Sequence, residues 1–203
     1  MNNEVRFKKL ATELSELLSK NTEHHIKRKG QFVNIDIQNE PHCLILHEGV
    51  LSSNRIKDDL LLAYITPPHI VGLHEIKRNE ITYIRSYTDI KYSLIPVASA
   101  FSIINSHSLW DKVSMYYTFL FLKTIEHHSN TAGRPSLDII IYFIEKLSNE
   151  PESVRRNISI ADYITEKTNL SRSLVMKTLA TLKKEGDIIS DRGILIDYRT
   201  TKN

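Results

Sequence analysis

The sequence predicts an α+β protein in two parts: a small antiparallel β-barrel or sandwich bearing helices, then a winged helix-turn-helix. Three observations predict it. Apolar residues recur at helical spacing over the first twenty residues, and again from residue 96 to about 128. Between residues 25 and 96 the texture changes to short apolar runs separated by turn residues. Beyond the breakers Gly133 and Pro135, the last fifty residues read helix, turn, helix, hairpin.

Val5, Phe7, Leu10, Leu14, Leu17 and Leu18, with Glu and Lys between them, predict an amphipathic helix of about four turns. The strand runs are 32–37, 43–46, 49–51, 60–65, 70–73, 81–84 and 92–95, broken at Gly30, Pro41, Asn54 and Pro67-Pro68. Val97, Ala98, Phe101, Ile103 and Ile104 then make a short helix, and a longer one runs over 107–128. That longer helix carries two apolar stripes, Leu109, Val113, Tyr116 and Leu120 beside Trp110, Tyr117, Phe121 and Ile125. A helix so broadly apolar must be covered on two sides. The barrel is one cover and a second subunit the other, with Leu109, Val113, Tyr116, Tyr117 and Leu120 as the expected dimerisation residues. The segment 129–135 is the clearest boundary, so 1–128 is expected to form one domain and 129–203 another. Leu137, Ile140, Ile141, Ile144 and Leu147 begin a fresh helix that stops at Asn149-Glu150-Pro151.

Ser159 opens the next helix, with Ile160, Ala161, Tyr163 and Ile164. Thr168-Asn169-Leu170 makes the turn, and Asn169 is the residue there that tolerates a positive φ. Ser171 is the expected N-cap of a second helix with Leu174, Val175, Leu179 and Leu182 inward, and Gly186 its C-terminal stop. Residues 188–190 and 194–196 pair as a hairpin around Asp191-Arg192-Gly193. From 171 to 184 there are four bases, Arg172, Lys177, Lys183 and Lys184, and no acid. Arg172, Ser173 and Lys177 lie opposite the apolar stripe, near the end that a recognition helix presents to the major groove. Ser171 at the cap can meet a phosphate, which the helix dipole also favours. Lys183 and Lys184 supply phosphate attraction, and Arg192 at the wing tip reaches toward flanking backbone. The plain alternative is a solvated basic face on a structural helix; the hairpin that follows favours DNA.

At these residues the chain resembles the CRP/FNR superfamily of bacterial transcription regulators. The strongest match is the segment Leu170-Ser171-Arg172-Ser173-Leu174-Val175-Met176-Lys177-Thr178-Leu179. Gly133-Arg134 is similar to the entry to the family's DNA-binding domain. Lys29-Gly30-Gln31, Leu46-His47-Glu48-Gly49-Val50 and Ile70-Val71-Gly72 look like its barrel signposts. The resemblance spans essentially the whole chain, in order. It implies a cyclic-nucleotide-binding-like jelly roll, a dimerisation helix at 107–128, and a homodimer on palindromic double-stranded DNA, with RNA polymerase as a further partner. More narrowly, the sequence looks like a group of enteric-bacterial regulators associated with the oxidative stress response. Two departures matter. Thr165 and Thr168 stand where the family has small or apolar residues, so its DNA sequence preference does not transfer. Cyclic-nucleotide binders need a Gly-Glu-Leu turn and then Arg-Ser or Arg-Thr. Here Gly72 precedes Leu73-His74-Glu75-Ile76, and Arg78 precedes Asn79-Glu80, whose carboxylate would repel the phosphate. Cyclic AMP is therefore not expected to bind.

The remaining chemistry is sparse. The single cysteine excludes a disulfide framework, a Cys-based zinc site and a four-Cys cluster. Cys43 lies in a core strand, where packing outweighs the alternative of a redox sensor. The nine histidines show no chelating spacing, so no metal is expected. Tyr116, Tyr117, Phe119 and Phe121 could stack a haem or flavin, but core and dimer packing is the stronger reading, and no cofactor is predicted. No nucleophile–base pair, phosphate loop or carboxylate pair supports an enzyme. The stretch 92–110 lacks charge, yet its Ser, Asn and Pro content argues against a membrane span, and the start of the chain has no signal peptide. A cytoplasmic regulator whose effector is unknown is the main expectation. The runner-up is a winged-helix protein-interaction module with a degenerate sensor barrel.

Overall fold

The N-terminal stripe folds as its spacing predicts: α1 (Asn3–Ser19) buries Phe7, Leu10, Ala11, Leu14 and Leu18. The computed structural model describes residues 3–74 and 81–199. The chain divides into two compact units, Met1–Thr124 and Ile125–Asn203. This division falls inside a helix, four residues before the boundary expected at 128/129.

Among the described residues of the first unit eight strands follow α1: β1 (His24–Lys27), β2 (Asp36–Ile37), β3 (Glu40–Glu48), β4 (Leu51–Arg55), β5 (Leu61–Ile65), β6 (His69–Val71), β7 (Thr82–Ser86) and β8 (Ile90–Pro96). They form two antiparallel sheets. One has the order β1-β8-β3-β2 with β6 also on β3, and the other has the order β5-β4-β7. β3 explains why its sequence is a continuous apolar run rather than an alternation. Leu44 and Leu46 enter a core with Leu51, Ile84, Ile90 and Tyr92 of the other strands. Cys43 and Ile45 face the opposite way, into a core with α1. A strand covered on both faces has no polar side to show.

Two sequence expectations change here. The run 32–37 becomes only the two-residue β2 and an isolated bridge between Phe32 and Arg85. Asn34 diverts it: its side-chain amide donates to Asp36 O at 2.7 Å, while its carbonyl oxygen accepts from Asp36 N at 3.0 Å. Such a local bond competes with ladder pairing. β1 has no apolar alternation at all, since His24, His25 and Ile26 are exposed, and pairing with β8 alone defines it. Gly49 sits where only glycine fits. Its φ is +83°, and a Cβ there would lie 2.2 Å from Asp89 O.

α2 (Val97–Ser106) and α3 (Trp110–Thr131) follow. Four of the five residues expected at a dimer face, Leu109, Val113, Tyr116 and Leu120, turn toward the unit's own core. Val113 and Tyr116 are buried in the unit's own core with α1, and Leu109 and Leu120 pack against it. The Tyr116 hydroxyl accepts from Ile70 N and donates to Ile70 O, both at 3.0 Å, and the Tyr116 ring stacks on Phe7 at 5.3 Å. Val113 and Tyr116 are therefore intramolecular core, not dimer surface, and Leu109 and Leu120 are occupied on the same side. Tyr117 donates to Leu73 O at 2.7 Å but keeps 38% of its surface exposed. The second stripe is the open one, with Phe121 62% and Ile125 45% exposed.

His69 lies against Phe7 and Tyr116, and burial, then the Lys123 ammonium, push its imidazole down to about 4. Below the ordinary histidine value near 6.5 the unfolded chain takes up a proton that the folded chain refuses until about 4. Stability is thus present at neutral pH and lost progressively as pH falls from 6.5 to 4. The loss should reach on the order of 2–3 kcal/mol. Urea unfolding at pH 7 and pH 5 should show a smaller difference for His69→Phe than for the parent; an equal difference would exclude His69 as the source.

In the second unit the last turns of α3 are joined by α4 (Ser136–Asn149), α5 (Glu152–Arg155), α6 (Ile160–Lys167), α7 (Arg172–Glu185), and the hairpin β9 (Ile188–Asp191) and β10 (Ile194–Tyr198). Glu126 pairs with Lys146 of α4 at 2.6 Å, and the His127 ring meets Tyr142 and Phe143. These contacts tie the tail of α3 to this unit. The core includes Ile140, Phe143, Ile144 and Leu147 of α4, Val154 of α5, Ile160, Tyr163 and Ile164 of α6, Val175 and Leu182 of α7, and Ile188 and Leu195 of the hairpin.

Candidate nucleic-acid interface

α6, α7 and the β9–β10 hairpin are each stopped and started by identifiable side chains. Ser159 caps α6: its Oγ accepts from Asp162 N at 3.0 Å and donates to the Asp162 carboxylate at 2.5 Å. The sequence places a positive φ at Asn169 in the turn to α7, and the structure does not use one there. Thr168 is extended instead, with its hydroxyl donating to Ile164 O at 2.7 Å and accepting from Leu170 N at 3.2 Å. A threonine hydroxyl thus shapes the turn in place of the asparagine. Ser171 caps α7 by accepting from Leu174 N, and Gly186 ends it at φ +83°.

Val175 and Leu182 are the buried residues of α7, and Leu179 is half-buried. Leu174, expected inward, is 37% exposed. With Leu137 and Ile141 it lines an apolar groove of about 480 Å³ that Lys177 also borders. Arg172, Ser173, Lys177, Lys183 and Lys184 of α7 are all exposed, as is Ser171 at its start. Lys183 and Lys184 occupy the last turn, where positive charge also suits the helix dipole. Lys183 Nζ stands 3.4 Å from Ser190 Oγ on β9.

The sequence did not reveal what holds Arg172. Its guanidinium donates to Asp162 on α6 at 2.5 Å. Asp162 accepts from Ser159 and from Arg172, and both bonds hold its carboxyl below the usual range. The spacing Ser159-x-x-Asp162 signals the cap, not the bond to Arg172. The hairpin turn is built from Arg192 at φ +47° and Gly193 at φ +85°, the geometry of a two-residue turn with both central φ positive. Gly193 O accepts from Ile160 N at 2.8 Å. The first residues of α6 therefore hold both the wing, through Ile160, and the base-reading candidate of α7, through Asp162. Arg192 remains exposed in the turn.

Cys43 is fully buried, its Sγ 3.5 Å from Gly72 O, and burial pushes the thiol up to about 12. The reactive thiolate is scarce at neutral pH in such a setting. Glu75, Arg78, Asn79 and Glu80, on which the expectation about cyclic AMP rests, lie outside the described residues. Among those described, no helix is long and apolar enough to cross a membrane, and no three His, Cys, Asp or Glu side chains gather to hold a metal.

A winged helix-turn-helix DNA-binding family matches residues 136–201, covering this whole arrangement. Over nearly the full chain the fold is similar to that of solved CRP/FNR-type regulators. The CRP/FNR-family regulator TTHA1359 of Thermus thermophilus superposes with TM-score 0.56 at 18% identity, covering 86% of this chain and 94% of that one. The c-di-GMP-responsive global regulator CLP of Xanthomonas campestris does so with TM-score 0.70 at 18% identity, covering 93% and 100%. At the level of sequence the chain is similar to the inhibitor of hydrogen peroxide resistance of Escherichia coli K12, 28% identical over 164 residues, which is 79% of this chain and 78% of that protein.

Proposed function

We propose that the protein is a homodimeric transcription regulator that binds palindromic DNA through α7 and the wing, without cyclic AMP, in the response to oxidative stress. The observation that carries the reading is the exposed basic face of α7, capped by Ser171, with Arg172 oriented by Asp162 and the wing fixed to the same end of α6. Ser171, Arg172, Ser173 and Lys177 supply the groove-facing end, and Lys183, Lys184 and Arg192 supply phosphate contacts. The stress assignment rests on similarity to the inhibitor of hydrogen peroxide resistance. Cys43 is not its sensor in this reading, because the thiol is buried and protonated. Catalysis has no part in it. RNA polymerase is a further partner of the DNA-bound dimer, and the protein acts in the cytoplasm.

Selection of bound sequences from random duplexes, followed by binding across a salt series, tests the reading. A palindrome with salt-sensitive affinity is the expected result. Calorimetric titration with cyclic AMP should show no heat of binding, because Asn79-Glu80 stands where a phosphate-holding pair is needed; micromolar binding would remove that part of the proposal. The groove of Leu137, Ile141 and Leu174 favours a second reading, a protein-interaction module. Capture of a protein partner by a chain with no DNA affinity would select it.

A further inference from the structure

β3 departs from regular pairing at one place. Its register against β8 shifts by one residue between Leu46 and Glu48, leaving His47 as the extra residue. A bulge re-aims the side chain it carries. His47 Nε2 lies 2.8 Å from Ser93 Oγ. Ser93 is completely buried and stands directly opposite His24 across the β1–β8 ladder. His24 Nδ1 is 3.2 Å from the same oxygen, and the two imidazoles meet edge to face with centroids 4.7 Å apart. Three strands thus bring two ring nitrogens and one hydroxyl to a point, on a sheet face where Ile45 and Ile95 are apolar core.

We propose that His24, His47 and Ser93 form a site for a borderline first-row divalent cation of the Zn²⁺ type. The two imidazoles ligate it, the hydroxyl stands beside them, and solvent reaches the open side past the exposed His24. Ligand atoms around a tetrahedral ion with metal–nitrogen distances of about 2.0–2.1 Å stand about 3.3 Å apart. The 2.8 and 3.2 Å separations need only a small outward adjustment to admit the ion. Imidazole ligates in its neutral form. Lys91 opposes a cation, but its ammonium is 3.6 Å from Glu48, which offsets its charge. Without metal the cluster is still satisfied, because the hydroxyl can donate to one ring and accept from the other. No third His, Cys, Asp or Glu joins the pair among the described residues, so solvent completes the coordination of an exchangeable ion rather than a structural one.

Zn²⁺ titrated into the full-length chain should bind saturably at one ion per chain by calorimetry. His24→Gln, at an exposed position, and His47→Gln should each weaken binding at least about tenfold, and Ser93→Ala by roughly tenfold. Imidazole ¹⁵N spectra should show the shift of metal ligation at His24 Nδ1 and His47 Nε2. If His47→Gln fails to fold, the His24→Gln titration and the ¹⁵N spectra decide the matter. Absence of saturable binding, unchanged affinity in His24→Gln, or ligation shifts confined to other histidines would overturn the site.

Discussion

Replacing Arg172 by alanine is expected to weaken binding to the selected DNA by roughly 1–3 kcal/mol per half-site and to relax preference at one base position. The planar guanidinium fork can address guanine O6 and N7 together. In the free protein it is engaged by Asp162 at 2.5 Å. Both partners are exposed, so the pair adds little to stability. Its effect is orientation: the side chain that meets DNA starts from one arrangement rather than many. Asp162→Ala should therefore lose discrimination between the selected and a scrambled duplex. Its affinity for the scrambled duplex should rise, because a negative charge leaves the surface. Lys183→Ala should weaken all sequences alike and reduce the salt slope by about one per lost phosphate contact. Binding of each variant to selected and scrambled duplexes over several salt concentrations separates these effects. Equal loss on both duplexes for Arg172→Ala would mean that α7 does not read bases through this residue. No change in either the Arg172 or the Lys183 variant would favour the interaction module.

What was legible in the sequence was whatever depends on local period or on a single residue's conformational preference. The runs at 43–46, 60–65, 81–84 and 92–95, the caps Ser159 and Ser171, the stop at Gly186 and the hairpin at Arg192-Gly193 lie where patterning put them. Pro41 and Asn54, expected as breaks, instead fall inside β3 and β4, and the run 49–51 meets β4 only at Leu51. What was not legible depends on pairing between distant segments. β1 exists because β8 is beside it, and the bulge at His47 is a property of the β3–β8 register. Neither leaves a mark in spacing, so the meeting of His24 with His47 was invisible among nine dispersed histidines. The Arg172–Asp162 pair lies between two helices and was hidden for the same reason. The two stripes of α3 were legible as stripes, but not which one α1 would cover. Phe7 decides that by stacking on Tyr116, which commits the stripe containing Val113 to the interior.

That commitment fixes the second large effect. Phe121→Asp is expected to convert a dimer into a folded monomer. Phe121 is 62% exposed and Leu122 49% exposed, with Tyr117 and Ile125 one helical turn to either side of Phe121. Self-association through this face would bury the new carboxylate against a second copy, and an unpaired buried charge costs several kcal/mol. The isolated chain would leave it in water, so the fold should persist. Val113→Asp separates the two roles of α3. Its site is inside the core with Tyr116 and Leu14, so that substitution should unfold the first unit rather than merely split the dimer. Sedimentation together with thermal melting distinguishes the cases: a slower species with a parent-like transition for Phe121→Asp, and a lost or greatly lowered transition for Val113→Asp. Splitting the dimer should also lower affinity for the palindrome much more than for an isolated half-site, because two recognition helices one helical turn of DNA apart act together only when joined. If Phe121→Asp sediments as the parent does, the exposed stripe of α3 is not the dimer face.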